Sequence, residues 1–145
     1  MMKTKPNILF LCTGNSCRSQ IAEGLMKYLC MNNFNVFSAG TAPSKVNIHA
    51  IKVMDEFNID IRDQKSESVD SYLEKSFSFV ITLCDDAKDH YPTFLGSGEK
   101  VHWAITDPFS GWDYDQEQLD NFRKTRDSIK VEIDLFLDTW RVQND

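Results

Sequence analysis

The sequence predicts an α/β fold, a parallel sheet with helices packed against it. Two observations carry that prediction. Short apolar runs at 8–11, 36–40, 77–83 and 101–105 alternate with stretches of helical period, and no internal repeat or low-complexity stretch breaks the alternation. The chain then closes on the most regular helical period it contains, where Leu119, Phe122, Ile129, Ile133, Phe136 and Trp140 recur at spacings of three, four or seven. Strands that alternate with helices imply right-handed crossovers between parallel neighbours.

Each element has its own warrant. Ile8-Leu9-Phe10-Leu11 is a short apolar run suited to a strand buried on both faces. Residues 19–31 follow as a helix with Ile21, Ala22, Leu25 and Leu29 on one side. Residues 36–40 form a second strand ending at Gly40, and residues 47–57 a helix that turns Ala50, Ile51 and Met54 inward. The third and fourth strands are expected at 77–83 and 101–105. Only Arg126 interrupts the apolar stripe of the last helix, where a structural ion pair at the core edge is expected. Parallel sheets bind ligands at the carboxyl ends of their strands. Cys12, Cys84 and Asp107 each fall just after a predicted strand, so three reactive groups converge on one edge.

Composition narrows the class. The chain has 145 residues, 41% of them hydrophobic and 26% charged, as expected of one globular domain spanning 1–145. No apolar run approaches the ~20 residues of a membrane span, and the first seven residues are too polar and short for a secretory signal. The net charge of −6 argues against nucleic acid as a partner. The four cysteines (12, 17, 30 and 84) lack zinc-type spacing, which favours reactive thiols over a disulfide scaffold or a metal site, and a cytoplasmic address. Cys30 lies thirteen residues beyond Cys17 on one helix, ~20 Å away at the helical rise, and is read as structural. His49, His90 and His102 share no ligand spacing and are expected at the surface or as caps. Trp103, Trp112 and Trp140 are expected to pack. A monomer is the default.

The chemistry concentrates in Cys12-Thr13-Gly14-Asn15-Ser16-Cys17-Arg18-Ser19, between the first strand and the first helix. Backbone N–H groups of such a loop and of the helix N-terminus converge on one point, and Arg18 adds a planar fork of donors, a cradle for a tetrahedral oxyanion. The same positive field is expected to lower the pKa of Cys12. Gly14 tolerates positive φ and close approach. Asn15 can adopt the left-handed conformation and brace the loop through its amide. Ser19 can donate its hydroxyl to the Cys12 sulfur. Asp107-Pro108 is either a turn or a general acid set rigidly over the strand ends. Cys84, ending the run Phe79-Val80-Ile81-Thr82-Leu83, is either a small core residue or a second redox thiol.

With these residues the chain resembles the low-molecular-weight protein tyrosine phosphatase superfamily and, within it, the arsenate reductases. The resemblance runs from Ile8 through Gln20, Ala22-Glu23-Gly24 and Ser38-Ala39-Gly40. It continues through Val80-Ile81-Thr82-Leu83-Cys84, His102-Trp103, Asp107-Pro108 and Phe122-Arg123-Lys124-Thr125-Arg126-Asp127. It implies a three-layer fold with a four-stranded parallel sheet. It also implies Cys12 as nucleophile, Arg18 as oxyanion clamp, Asp107 as general acid and Cys84 as second redox thiol, with a monovalent cation near Asn15, Glu23 and Ser38.

Two functions share such a loop, because phosphate and arsenate have the same shape and charge. A phosphatase forms a phosphocysteine that water hydrolyses. A reductase forms an arsenocysteine that a second thiol attacks at sulfur, so arsenic departs as arsenite with two electrons. Cys84 favours reduction. So do the substrate walls: residues 41–47 contain no aromatic, and Phe109-Ser110 stands where the phosphatases often carry paired tyrosines. Phe109, Trp112 and Tyr114 keep the aryl phosphatase alternative open, and a non-catalytic oxyanion-binding module is the third reading. Thioredoxin-coupled reductases carry a third cysteine seven residues beyond the second. That position is Tyr91 here, and no cysteine follows Cys84. An external reductant is therefore expected, namely glutathione, another low-molecular-weight thiol, or a glutaredoxin- or thioredoxin-like protein, with no tightly bound cofactor. Cys17 could alternatively pair with Cys12 as a reversible oxidation guard.

Overall fold

The computed structural model describes residues 4–84 and 98–144. Four parallel strands, β1 (Asn7–Cys12), β2 (Asn35–Gly40), β3 (Phe79–Thr82) and β4 (Glu99–His102), form a sheet in the order β2-β1-β3-β4. Helix α1 (Arg18–Leu29) links β1 to β2, α2 (Ile48–Asp55) follows β2, and α3 (Leu119–Asn144) closes the chain. Two short 3₁₀ turns, Val69–Tyr72 and Gln116–Gln118, precede β3 and α3. The α/β architecture and the four-stranded parallel sheet match the sequence prediction. His90 and Tyr91 lie outside the described residues.

The site owes its position to β1. Ile8, Leu9, Phe10 and Leu11 have no solvent exposure. Successive strand side chains point to opposite faces, so both faces of β1 are covered, which is the three-layer arrangement. The chain leaves β1 toward β2, then crosses back over it to reach β3. That reversal opens a crevice above the carboxyl ends of β1 and β3. The register pairs Leu11 with Thr82, and the Leu83 N–H still donates to Leu11 O at 2.9 Å. Cys12 and Cys84 therefore stand on neighbouring strand ends.

Several boundaries differ from expectation for physical reasons. The fourth strand lies at Glu99–His102 rather than 101–105. It is an edge strand, where the exposed Glu99 and Lys100 are tolerated. The apolar Trp103 and Ile105 are buried beyond it, with Trp103 packed on Phe10 and Phe136. Likewise β3 occupies Phe79–Thr82 of the expected 77–83, with the ring of Phe77 packed against Phe37 and Tyr72 ahead of it. The first helix runs from Arg18 to Leu29 rather than over 19–31. The second spans Ile48–Asp55 rather than 47–57, with Asn47 as its N-cap.

The last helix is the long one predicted, burying Leu119, Phe122, Ile129 and Ile133, with Phe136 and Trp140 partly buried against the core. Arg126 makes the expected ion pairs at the core edge. It donates to Glu56 Oε1 at 2.7 Å, to Val53 O at 2.9 Å and to Asp127 Oδ1 at 3.0 Å, with its guanidinium over Phe57. Cys30 is buried at the C-cap of α1, part of the core as read.

Candidate active site

The loop from Cys12 to Arg18 is shaped from outside. Five consecutive carbonyls accept hydrogen bonds from residues beyond it. Cys12 O takes Thr41 N–H at 3.2 Å and Thr13 O takes Ala42 N–H at 2.8 Å. Gly14 O takes Ser44 N–H and the hydroxyls of Ser44 and Ser66. Asn15 O takes the Gln20 amide at 3.0 Å, and Ser16 O takes Asn47 N–H at 3.0 Å. With the carbonyls drawn outward, the N–H groups of Asn15 and Ser19 turn to the Cys12 sulfur. Helix α1 adds to this: Cys17 at its N-cap makes no side-chain cap and its first turn holds no acidic residue. Its N-terminal donors remain available to an anion.

Asn15 is the brace the sequence suggested. It sits at φ 46° with its side chain fully buried. Its Oδ1 accepts the Glu67 N–H at 2.8 Å, which turns Nδ2 toward the Ser19 hydroxyl at 2.7 Å and the Ser38 hydroxyl at 3.0 Å. Ser19 Oγ, accepting from Asn15, is left to donate its proton to the Cys12 sulfur 2.9 Å away. Ser38 in turn donates to Glu23 at 2.5 Å, and Glu23 pairs with Lys27.

Two expectations need correction. The left-handed residue of the loop is Asn15 and not Gly14, which lies outside the positive-φ set and has ordinary room for a Cβ. The close approach falls at Gly40, where a Cβ would stand 2.4 Å from Thr13 O and 2.9 Å from Asn15 N. The Cys12 thiol is also not lowered overall. Burial pushes it up, and this outweighs the Ser19 hydroxyl, the N–H groups of Ser19 and Asn15, and the Arg18 charge, which all pull it down. Burial likewise pushes the Cys17 thiol up to about 12, leaving it a poor nucleophile.

Cys12, Thr13, Gly14, Ser16, Cys17, Arg18, Cys84 and Asp107 line one cavity of about 460 Å³ with Ser44, Phe109 and Trp112. Asn15 and Ser19 stand behind the loop. Arg18 is oriented by two backbone carbonyls beyond the strands, Leu83 O at 3.3 Å and Ile105 O at 3.0 Å, and its Nη2 lies 3.5 Å from Asp107 Oδ2. Asp107 is both a turn former and a cavity residue, since its Oδ1 accepts the Phe109 N–H at 3.0 Å. Cys84 Sγ lies 3.3 Å from the hydroxyl of Thr13, the residue after Cys12.

The aromatic wall is fuller than the sequence suggested. Trp112, expected to pack, lines the cavity edge-on to Phe109, with Lys45 over its ring. His49, expected at the surface or as a cap, is fully buried. His102 is partly buried, with Nδ1 2.7 Å from the Thr82 hydroxyl. Gly40 is read from sequence only as a strand end and part of the resemblance, Ser44 only as part of a segment without aromatics, and Asn47 only as a helix start; none of them carries a sequence signal for shaping the loop. No signal marks a carbonyl such as Leu83 O.

A buried cysteine facing backbone donors, an arginine held by two carbonyls and a carboxyl in the same cavity wall define an oxyanion-binding site built round a thiol. The chain belongs to the low molecular weight phosphotyrosine protein phosphatase family, whose model matches residues 7–145. It is 42% identical over 137 residues to an arsenate reductase of Halalkalibacterium halodurans, covering 94% of this chain and 99% of the relative. It is 41% identical to an arsenate reductase of Staphylococcus aureus, covering 92% and 97%. A solved arsenate reductase in the phosphate-binding state superposes with a TM-score of 0.79 at 31% identity, covering 94% and 98%. An arginine phosphatase, YwlE, does so at 0.72 and 26%, covering 93% and 95%.

Proposed function

We propose that the protein is an arsenate reductase that uses Cys12 and Cys84. The observation that carries this reading is the second thiol: Cys84 lies in the wall of the cavity that holds Cys12, on the neighbouring strand end. The resemblance to arsenate reductases over nearly the whole chain supports it.

Arsenate enters as HAsO₄²⁻ and sits on the loop N–H groups and Arg18. The Cys12 sulfur attacks arsenic, and the thiol proton passes to an arsenate oxygen. Asp107, as general acid, delivers a proton to the departing hydroxyl, which leaves as water. The product is a Cys12–S–AsO₃H⁻ ester. Cys84 then attacks the Cys12 sulfur, the S–As bond breaks with its electron pair on arsenic, and the Cys84 proton follows. H₂AsO₃⁻ leaves, and a Cys12–Cys84 disulfide remains. Two external thiols reduce that disulfide, and we assign this part to glutathione, another low-molecular-weight thiol, or a glutaredoxin- or thioredoxin-like protein. A raised Cys12 thiol suits the first step, because the arriving dianion is itself the base.

Of the residues that the resemblance offers to a monovalent cation, Ser38 and Glu23 present oxygens, whereas Asn15 presents its Nδ2 and Lys27 already pairs with Glu23. Among the described residues, no helix is long and apolar enough to cross a membrane, and the net charge is −6. We place the enzyme in the cytoplasm as a monomer without a nucleic-acid partner.

The test is arsenate reduction by purified protein with each thiol system in turn. Cys84→Ser should abolish turnover while an aryl phosphate is still hydrolysed. Arsenite formation that survives this substitution overturns the two-thiol mechanism and leaves external thiols attacking Cys12 directly. Phe109 and Trp112 favour aryl phosphate hydrolysis as a second reading. Strong hydrolysis without any arsenite would transfer the assignment to it.

A further inference from the structure

We propose that His49 is a positioning residue that clasps the Asp107 loop to the oxyanion loop and acts through Asp107. The proposal uses the reductase reading for its first substrate only.

Asp107 opens a mostly exposed stretch, residues 107–115, between β4 and α3, and beyond its contacts with Arg18 and the Phe109 N–H its carboxyl is placed by how that stretch is anchored. The anchor is the buried pair Asn47 and His49 at the start of α2. Asn47 holds both loops: its N–H donates to Ser16 O at 3.0 Å, and its Nδ2 donates to Gly111 O at 3.3 Å. Its Oδ1 accepts from the His49 N–H and from His49 Nδ1, both at 2.8 Å. The far ring nitrogen, Nε2, accepts the Asp115 N–H at 3.0 Å.

These bonds fix the chemistry of the ring. Nε2 faces an N–H and must accept, so the hydrogen sits on Nδ1 and points at Asn47 Oδ1. That donor keeps the Asn47 amide turned with Nδ2 toward Gly111. His49 thus holds the loop at Asp115 directly and at Gly111 through Asn47. Its ring is stacked between Tyr114 at 5.6 Å and Phe122 at 5.1 Å, which ties the clasp to α3. A histidine needed only to fill space would use the stack and neither nitrogen.

Three variants separate the two roles. His49→Phe keeps the stacked ring and removes both nitrogens. His49→Gln returns an acceptor near the Nε2 position, and His49→Asn offers only the short donor toward Asn47. Each is made alone and with Asp107→Asn, and arsenite formation is followed. His49→Phe should lower kcat about 10- to 100-fold, the scale of a misplaced general acid, with KM for arsenate within about twofold. His49→Gln should recover most of the loss. In the Asp107→Asn background, His49→Phe should cost nothing further.

An equal loss in both backgrounds, or a raised KM with kcat unchanged, overturns the proposal in favour of a structural role. If the wild type makes no arsenite, the reductase reading fails alone, and the same cycle on phenyl phosphate still reads Asp107 against a phenolate leaving group. Amide exchange at Asp115 covers variants with impaired turnover or folding. It should rise at least about tenfold in His49→Asn, and a wild-type rate there overturns the clasp.

Discussion

Asn15 shows how one side chain converts a loop into a site. A left-handed φ of 46° is costly for most residues, roughly 1–2 kcal/mol, and asparagine is among the few that accept it. Its amide then aims Ser19 at the Cys12 sulfur. Asn15→Ala should lose backbone tolerance and hydrogen bonds together, lowering stability by about 1–3 kcal/mol in urea unfolding. Asn15→Gly should restore the backbone share only, and both variants should react more slowly with iodoacetamide at Cys12. Ser19→Ala tests the next link. The Ser19 hydroxyl is the strongest of the influences that pull the Cys12 thiol down. Its removal raises the thiol further, so the thiolate fraction at pH 7 shrinks and alkylation should slow several-fold. A rate unchanged from wild type would deny Ser19 that role. At this scale the motif was legible, because its side chains carry the chemistry. The carbonyls of Leu83 and Ile105 that steer Arg18 were not, since a backbone oxygen leaves no mark on residue identity.

Among the elements, the end of β2 decides how closely the strand approaches the loop. Gly40 has no tolerance for a side chain, because the atoms its Cβ would strike belong to the backbone of Thr13 and Asn15. Gly40→Ala should cost about 1–3 kcal/mol of stability. It should also reduce kcat/KM for the oxyanion more than it reduces stability relative to other core variants, because the displaced atoms are the donors' own peptide units. Thermal unfolding and steady-state kinetics on the same preparation measure both. The element pattern was largely readable from apolar runs, and the misplaced fourth strand has a clear cause. Burial marked 101–105 as a strand, yet Trp103 and Ile105 are buried by packing after the strand has ended. Periodicity reports what is covered and is silent on what covers it. The same gap hid His49, whose polar type suggested the surface while two aromatic rings enclose it.

For the molecule as a whole, α2 and α3 are joined by a charged seam. Arg123 above all, with Arg126, holds the Glu56 carboxyl below its ordinary value against the opposing effect of burial. A carboxyl lowered in the folded state stabilises the fold above its ordinary value of 4.5, and that contribution is lost as pH falls through 4.5 and below. The urea midpoint should therefore drop more steeply between pH 5 and pH 3 in the wild type than in Glu56→Gln. Parallel slopes would remove Glu56 from the acid response. The anchored carbonyls of the loop have a different consequence at this scale. Because Thr41, Ala42, Ser44, Ser66, Gln20 and Asn47 hold them, the ordering of the anion site belongs to the folding reaction and is not repeated at each turnover. Oxyanions then arrive at a mould that is already finished. No part of an oxyanion's binding energy is then diverted to ordering the loop.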